Sequence, residues 1–337
     1  MSVMRDLIAQ LPMQLRWAAT ASIPDVPRAS EGLVLGMGGS GFAGDVAAVF
    51  ADAQGRRISV HKGYGLPGWA AAMRPGVVAV SHSGNTEETI SGVAAATAAG
   101  LSVTTTSTGG ALATLAQTQG LPHLPVPPGP QPRAAAGYLG GAALRLMESA
   151  GVVSGTAPAL LEAADVVESM NNEAEELAAE IAGRLRDRIG IVYGAAALTA
   201  AAAGRWKTQI NENGKSPAWW SVFPELDHNE IVGWSAHPAL GRDSVGVVFL
   251  HDAADNDRVR LRAELTEQLM KGVHVAGHVT SRGAGPLARL FSLVLVGDLV
   301  SVALAEQAGI DPVPVVVIEH LKKLLVEGSP GHTGNLR

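Results

Sequence analysis

The feature that most constrains this 337-residue chain is an alternation that runs along it twice. In the first half the short β-rich runs GLVLGM, RISVHK, VVAVS, LSVTTTS and LPHLPV are interleaved with Ala-rich helical stretches. The pattern restarts at RIGIVYGAAALTAAAAG, a strand, turn and helix that echo GLVLGMGGSGFAGDVAA, and continues through VGVVFLH and VHVAGHV. Parallel strands need long crossover connections, so strand-helix alternation of this kind predicts βαβ units and parallel sheets. The chain is also too long for one ordinary hydrophobic core. The expectation is an α/β protein with two doubly wound domains, mainly parallel sheets flanked by helices, divided into 1–153 and 154–327 with a flexible tail at 328–337. Helices are expected around 137–150, 158–187, 257–271 and 284–308. The Pro-rich segment LPVPPGPQPRAAAGY is irregular, a linker or a binding loop. The helical stretch IEHLKKLL after DPVPVVV is placed to return to a site between the domains.

Composition removes several kinds of chemistry. Lys+Arg 25 against Asp+Glu 31 gives a net charge of −6 without a basic block, so nucleic acid is a poor partner. A phosphorylated ligand remains open, because backbone amides bind phosphate without a basic surface. The absence of cysteine excludes disulfides, thiolate nucleophiles and Cys-ligated metals. The opening MSVMRDLIAQLPMQLRWAAT reads as an amphipathic helix rather than a signal peptide. The longest apolar run, Leu290 to Val296, is cut by Asp298 and is too short to cross a bilayer, so it reads as a buried helix. A cytoplasmic protein without membrane association is expected.

Two loops carry the first chemical signal. GMGGSG follows a strand and opens a helix, so its small residues leave backbone N–H groups free to face an anion. It also fits G-x-G-x-x-G, but a dinucleotide site adds an acidic residue about 20 positions on, where this chain has His61 and Lys62. SHSGNTEET, again between strand and helix, supplies hydroxyls and a glycine as neutral donors suited to a phosphate that brings its own charge. An ordinary Ser/Thr cap with Glu at the third position reads the same way. Two such loops at equivalent sheet ends argue for a ligand.

A second signal lies farther along. NENGKSP ends a long Ala-rich helix, and its Glu212 is the only carboxylate between Asp187 and Glu225. It reads either as a general base or as a solvated glutamate near a helix end. The cluster ELDHNE contains His228, able to exchange a proton near neutral pH. No second histidine stands at metal-ligand spacing from it, which argues against a metal site.

GMGGSG with SHSGNTEET resembles the sugar isomerase (SIS) domain, a phosphosugar-binding fold found in isomerases and in bacterial regulators. With PRAAAGY, NENGKSP, ELDHNEIVGW and IEHLKKLL in that order, the chain from about Gly32 to Leu325 resembles the bifunctional phosphoglucose/phosphomannose isomerase family. The resemblance implies that Gly39, Ser40, Ser81, Ser83 and Thr86 bind the phosphate of a hexose 6-phosphate and that Arg133 sits at the reacting end. It makes Glu212 the base, His228 the ring-opening acid and Lys322, rather than its neighbour Lys323, the assisting lysine. It implies aldose–ketose isomerisation through a cis-enediolate with no metal or organic cofactor, in a homodimer whose histidine comes from the neighbouring subunit. A non-catalytic phosphosugar sensor, or an isomerase of another sugar phosphate, would share the two loops but not the later motifs.

Overall fold

The computed structural model describes residues 2–129, 131–195 and 197–328. The expected tail therefore lies outside the described residues from 329 onward. Two wholly parallel sheets are present. The first has strands β1 (Gly32–Leu35), β2 (Ile58–His61), β3 (Gly76–Val80), β4 (Val103–Ser107) and β5 (His123–Pro125), in the order β2-β1-β3-β4-β5. The second has β6 (Ile189–Ala195), β7 (Ala218–Phe223), β8 (Val245–His251) and β9 (Val275–Thr280), in the order β7-β6-β8-β9. Strands β1, β3 and β4 are buried along their whole length, as strands covered by helices on both faces must be.

The echo between the halves is physical. Gly36, after β1, lies so close to the following helix that a Cβ there would stand 2.9 Å from the Ser40 carbonyl oxygen. Gly194, at the end of β6, meets the Thr199 carbonyl oxygen at 2.5 Å in the same way. Each strand turns directly into its helix, and a side chain at that corner would push the two apart.

The interior does not divide into two separate cores. One large cluster joins residues of both halves, including Val34 and Val78 with Val192, Val248 and Trp206, while smaller clusters cover the outer face of each sheet. The helix Pro286–Gln307 holds this common core together, packing on the helices Leu198–Glu212, Asn171–Leu185 and Thr156–Ser169. Eighteen of its residues are buried, and a helix apolar on all sides has nowhere else to go. At 22 residues, about 33 Å, it is long enough to cross a bilayer, yet it is enclosed by protein. Asp298 does not cut it. The carboxylate accepts from Arg205 Nε at 2.9 Å and Nη2 at 2.6 Å and from Gln209 Nε2 at 2.9 Å, so the charge is carried inside the core and the helix continues.

Other departures from expectation are local. The stretch 158–187 is two helices, Thr156–Ser169 and Asn171–Leu185, meeting at Met170. The run AWWSVF, flanked by prolines, forms the edge strand β7 with Trp219 and Trp220 exposed. The helix Val316–Glu327 stands away from the body, with Val316, Val317, Ile318, Leu321 and Leu324 all exposed.

Trp206 lies flat on the core helix at Gly297 and donates from Nε1 to the Leu293 carbonyl at 2.8 Å. Gly297→Ala would place its methyl against the indole, so the stability read from urea unfolding is expected to fall by about 1–3 kcal/mol despite the better helix propensity of alanine.

Candidate active site

Two helices begin side by side at the C-terminal edge of the first sheet. Gly38–Asp52 starts directly after β1, and Glu87–Ala98 starts after the loop that follows β3. The first N–H groups of any helix have no intrahelical acceptor, so two such ends placed together favour an anion. The loops are fastened to each other: the His82 N–H donates to Ser40 Oγ at 3.1 Å, which buries Ser40. Ser81 Oγ and Thr86 Oγ1 share a hydrogen bond of 2.8 Å that closes the second loop from within. Ser83 Oγ, accepting from the Asn85 N–H at 3.2 Å, remains exposed. A third segment braces this loop, the Ala111 N–H donating to Asn85 Oδ1 at 2.9 Å and the Thr108 hydroxyl to the His82 carbonyl at 2.7 Å.

The segment after β5 closes against the first loop. A Cβ on Gly39 would stand 2.7 Å from the Pro132 carbonyl oxygen, so only glycine lets the short 3-10 turn Pro132–Ala134 come this near. Arg133 in that turn is 4% exposed. Its Nε donates to Asn213 Oδ1 at 2.6 Å, and its Nη2 donates to the carbonyls of Pro312 at 2.9 Å and Val313 at 2.5 Å. Among the described residues no carboxylate pairs directly with it. Burial pulls its pKa down from the usual guanidinium value, and the nearby charge of Glu212 pulls it back up.

Glu212 ends the helix that returns from β6 to β7. It therefore lies level with the start of β7, where Asn211 Nδ2 donates to the Ala218 carbonyl at 3.1 Å. The site is thus a seam: the C-terminal edge of the first sheet supplies the two loops and Arg133, and the N-terminal edge of the second supplies Glu212. Glu212 also lines a cavity of about 670 Å³ together with Lys215 and the start of the helix Val316–Glu327.

Lys215 is a member that the motif reading passed over, although it stands three residues after Glu212. It adopts φ +50, and its ammonium donates to the Glu212 carbonyl and to the Pro312 carbonyl at 3.2 Å. Its pKa is pulled down by burial and by the positive charge of Arg133. A strained backbone at a cation whose pKa is shifted beside Glu212 and Arg133 is a mark of a functional site.

Two expected residues are not brought in by this chain. His228 ends the 3-10 turn Glu225–His228 beyond the far end of β7 and is exposed. Since β7 is six residues long, at ~3.3 Å per residue His228 stands about 20 Å from the level of Glu212. Lys322 and Lys323 lie on the exposed helix Val316–Glu327, which begins beside Glu212 and runs outward.

Two helix N-termini and a buried guanidinium at the C-terminal edge of one parallel sheet, facing a carboxylate from the next, make up an SIS-type site. The matches to known proteins agree. Residues 171–325 match the family described as bacterial phospho-glucose isomerase C-terminal SIS domain. A bifunctional phosphoglucose/phosphomannose isomerase of Caldicellulosiruptor bescii is 37% identical over 88% of this chain and 89% of its own. One from Aquifex aeolicus is also 37% identical, over 88% of this chain and 90% of its own. The fold matches the tagatose-6-phosphate ketose/aldose isomerase of Escherichia coli with a TM-score of 0.68 at 14% identity, covering 91% of this chain and 93% of that one. The chain belongs to the bifunctional phosphoglucose/phosphomannose isomerase family.

His82 Nε2 is buried without a hydrogen-bond partner among the described residues, and burial pulls its pKa below 6.5. Because the folded pKa is the lower one, the neutral ring's contribution to stability is complete above 6.5 and is lost as pH falls from there through the folded value. NMR titration is expected to show His82 gaining its proton later on acidification than an unhindered histidine, and amide exchange in the 81–86 loop should quicken over the same range.

Proposed function

We propose that this chain is a cytoplasmic aldose–ketose isomerase that interconverts glucose 6-phosphate and mannose 6-phosphate with fructose 6-phosphate. The observation that carries the reading is Arg133: a buried guanidinium with no carboxylate partner among the described residues, set between two helix N-termini and Glu212. A cation enclosed at this cost and left unneutralised is suited to an anion that arrives with the substrate or forms during the reaction.

In this reading the phosphate occupies the two helix N-termini, contacted by the N–H groups of Gly39 and Ser40 and by Ser81, Ser83 and Thr86. Glu212 takes the C2 proton of the open-chain aldose and returns it to C1 through a cis-enediolate, while Arg133 meets the charge that develops on the oxygens. Ring opening falls to His228 and Lys322. The distance along β7 between His228 and the level of Glu212 supports a homodimer in which His228 of the partner subunit supplies the acid. The exposed apolar side chains of Val316, Val317, Ile318, Leu321 and Leu324 support a paired state, since a contiguous patch of this kind on a monomer marks an interaction surface. The division at 153/154 then separates a phosphate-binding unit from one that carries the acid and base.

The purified protein assayed side by side on glucose, mannose and fructose 6-phosphates tests the activity; turnover of none of the three overturns the reading. Glu212→Gln is expected to lower kcat by about 10²–10⁴-fold while phosphate protection against unfolding is kept. Ser83→Ala should chiefly raise KM. Mixing inactive Glu212→Gln and His228→Ala proteins should restore part of the activity through heterodimers with one intact site, and a mixture that stays inactive would count against the shared site.

A further inference from the structure

Three buried polar side chains have no task in the reaction just described: Asp298 and Ser301 on the core helix, and Asn213 directly after Glu212. Their hydrogen bonds all lead to Arg133, by two routes. On the first, Asp298 holds Arg205 by a bidentate ion pair and Gln209 by a single bond. Both then donate to the Arg133 carbonyl, Arg205 Nη2 at 2.8 Å and Gln209 Nε2 at 3.3 Å, so the backbone of the turn is gripped from the core helix. Phe42 lies under the Arg205 guanidinium at 4.7 Å and keeps it in plane with its partners.

The second route sets the side chain. Ser301 has one hydroxyl proton, and it goes to the Asp298 carbonyl at 2.6 Å. Its oxygen is therefore left to accept, and it accepts from Asn213 Nδ2 at 3.0 Å. With its NH2 committed to the serine, the Asn213 amide has one orientation, which turns Oδ1 towards Arg133 Nε at 2.6 Å. The carbonyls of Pro312 and Val313 take Nη2. Of the guanidinium nitrogens only Nη1 is left with no acceptor among the described residues.

We propose that Ser301, Asn213 and Asp298 are positioning residues of the isomerase site, a buried relay that fixes the rotation of the Arg133 guanidinium so that Nη1 alone is presented to the reacting sugar carbons. This rests on the reading of Arg133 as the group that meets the developing charge. The relay acts through orientation and touches no substrate. Without the serine hydroxyl the Asn213 amide is free to turn its NH2 towards Arg133 Nε, and two donors then face each other.

The test uses Ser301→Ala and Asn213→Ala in the full-length protein, with kcat, KM for fructose 6-phosphate, thermal midpoint, and affinity for a phosphorylated hydroxamate that carries the planar anionic head of an enediolate. The expected result is a kcat lowered by about tenfold or more, hydroxamate binding weakened in proportion, and KM changed by less than about twofold, since only charge stabilisation in the transition state is lost. Ser301→Thr, which keeps the hydroxyl, should restore most of the loss. Wild-type kcat and hydroxamate affinity in both variants would overturn the proposal. So would a loss of kcat that follows the folded fraction alone, with hydroxamate affinity per folded molecule unchanged. Arg133→Lys separates the two levels of inference: if it is fully active, the role given to Arg133 itself fails, whereas a damaged Arg133→Lys beside fully active Ser301→Ala and Asn213→Ala removes only the relay.

Discussion

The ion pair between Arg205 and Asp298 is the constraint on which the rest of the molecule depends. Both side chains are almost fully enclosed, at 2% and 4% side-chain exposure, in the middle of the core that joins the two sheets. Removing one partner from such a pair costs roughly 3–5 kcal/mol, because the other charge is left buried and alone. Replacing both by apolar residues of similar volume is often tolerated in proteins at large, so the pair is a weak explanation of stability by itself. Its geometry accounts better for its presence. One end lies on the helix shared by both halves, and the other grips the turn that carries Arg133, so the register between the two sheets and the placement of the site are set by the same bond.

Small residues make that arrangement sterically feasible. Gly297 admits the Trp206 indole against the core helix, and Gly39 admits the Pro132 carbonyl against the first loop. The Ala-rich face of Leu198–Glu212, with Ala202 and Ala203 fully buried, lets this helix lie close enough to Pro286–Gln307 for Arg205, Gln209 and Asn213 to reach Asp298 and Ser301. Close helix packing and short hydrogen bonds are here one requirement: a bulkier helix face would widen the gap, and a polar pair that no longer meets is costlier than none. The high alanine and glycine content of the chain thus bears directly on the site.

What the sequence discloses follows from how far apart the interacting groups are along it. The strands of both sheets other than β7, the two loops and the return of the strand-turn-helix unit at RIGIVYG are local patterns, legible in the sequence. Gly39, Ser40, Ser81, Ser83, Thr86, Arg133 and Glu212 are candidates that the family resemblance implies, and contacts link Gly39 to the turn that carries Arg133, Ser40 to the second loop, and the charge of Arg133 to Glu212. The partnership of Arg205 with Asp298 spans 93 positions and leaves no local trace; Asp298 read only as an interruption of an apolar run. Strand β7 is not legible, because an edge strand with two exposed tryptophans lacks the alternation that marks a half-buried strand. Lys215 lies inside its motif with no local mark, since nothing nearby in sequence says that a lysine after a helix-ending glycine turns back onto the Glu212 carbonyl.

The distribution of charge in the site follows from the same economy of buried groups. An anion of fixed charge, such as a phosphate, can be held by neutral donors, because helix N-termini offer partial charge that is already desolvated and oriented. A charge that exists only during reaction calls for a different device, since donors that bind the ground state equally well do nothing for the rate. Arg133 has the properties needed for the second role: it is enclosed, its contacts with Asn213, Pro312 and Val313 satisfy hydrogen-bonding capacity without cancelling its charge, and one nitrogen is left unpaired among the described residues. Carbonyl and amide oxygens, unlike a carboxylate, solvate a cation and leave its field available to a nearby group. The neutral loops and the uncancelled charge of Arg133 therefore stand together at the C-terminal edge of the first sheet and meet Glu212 across the seam from the second.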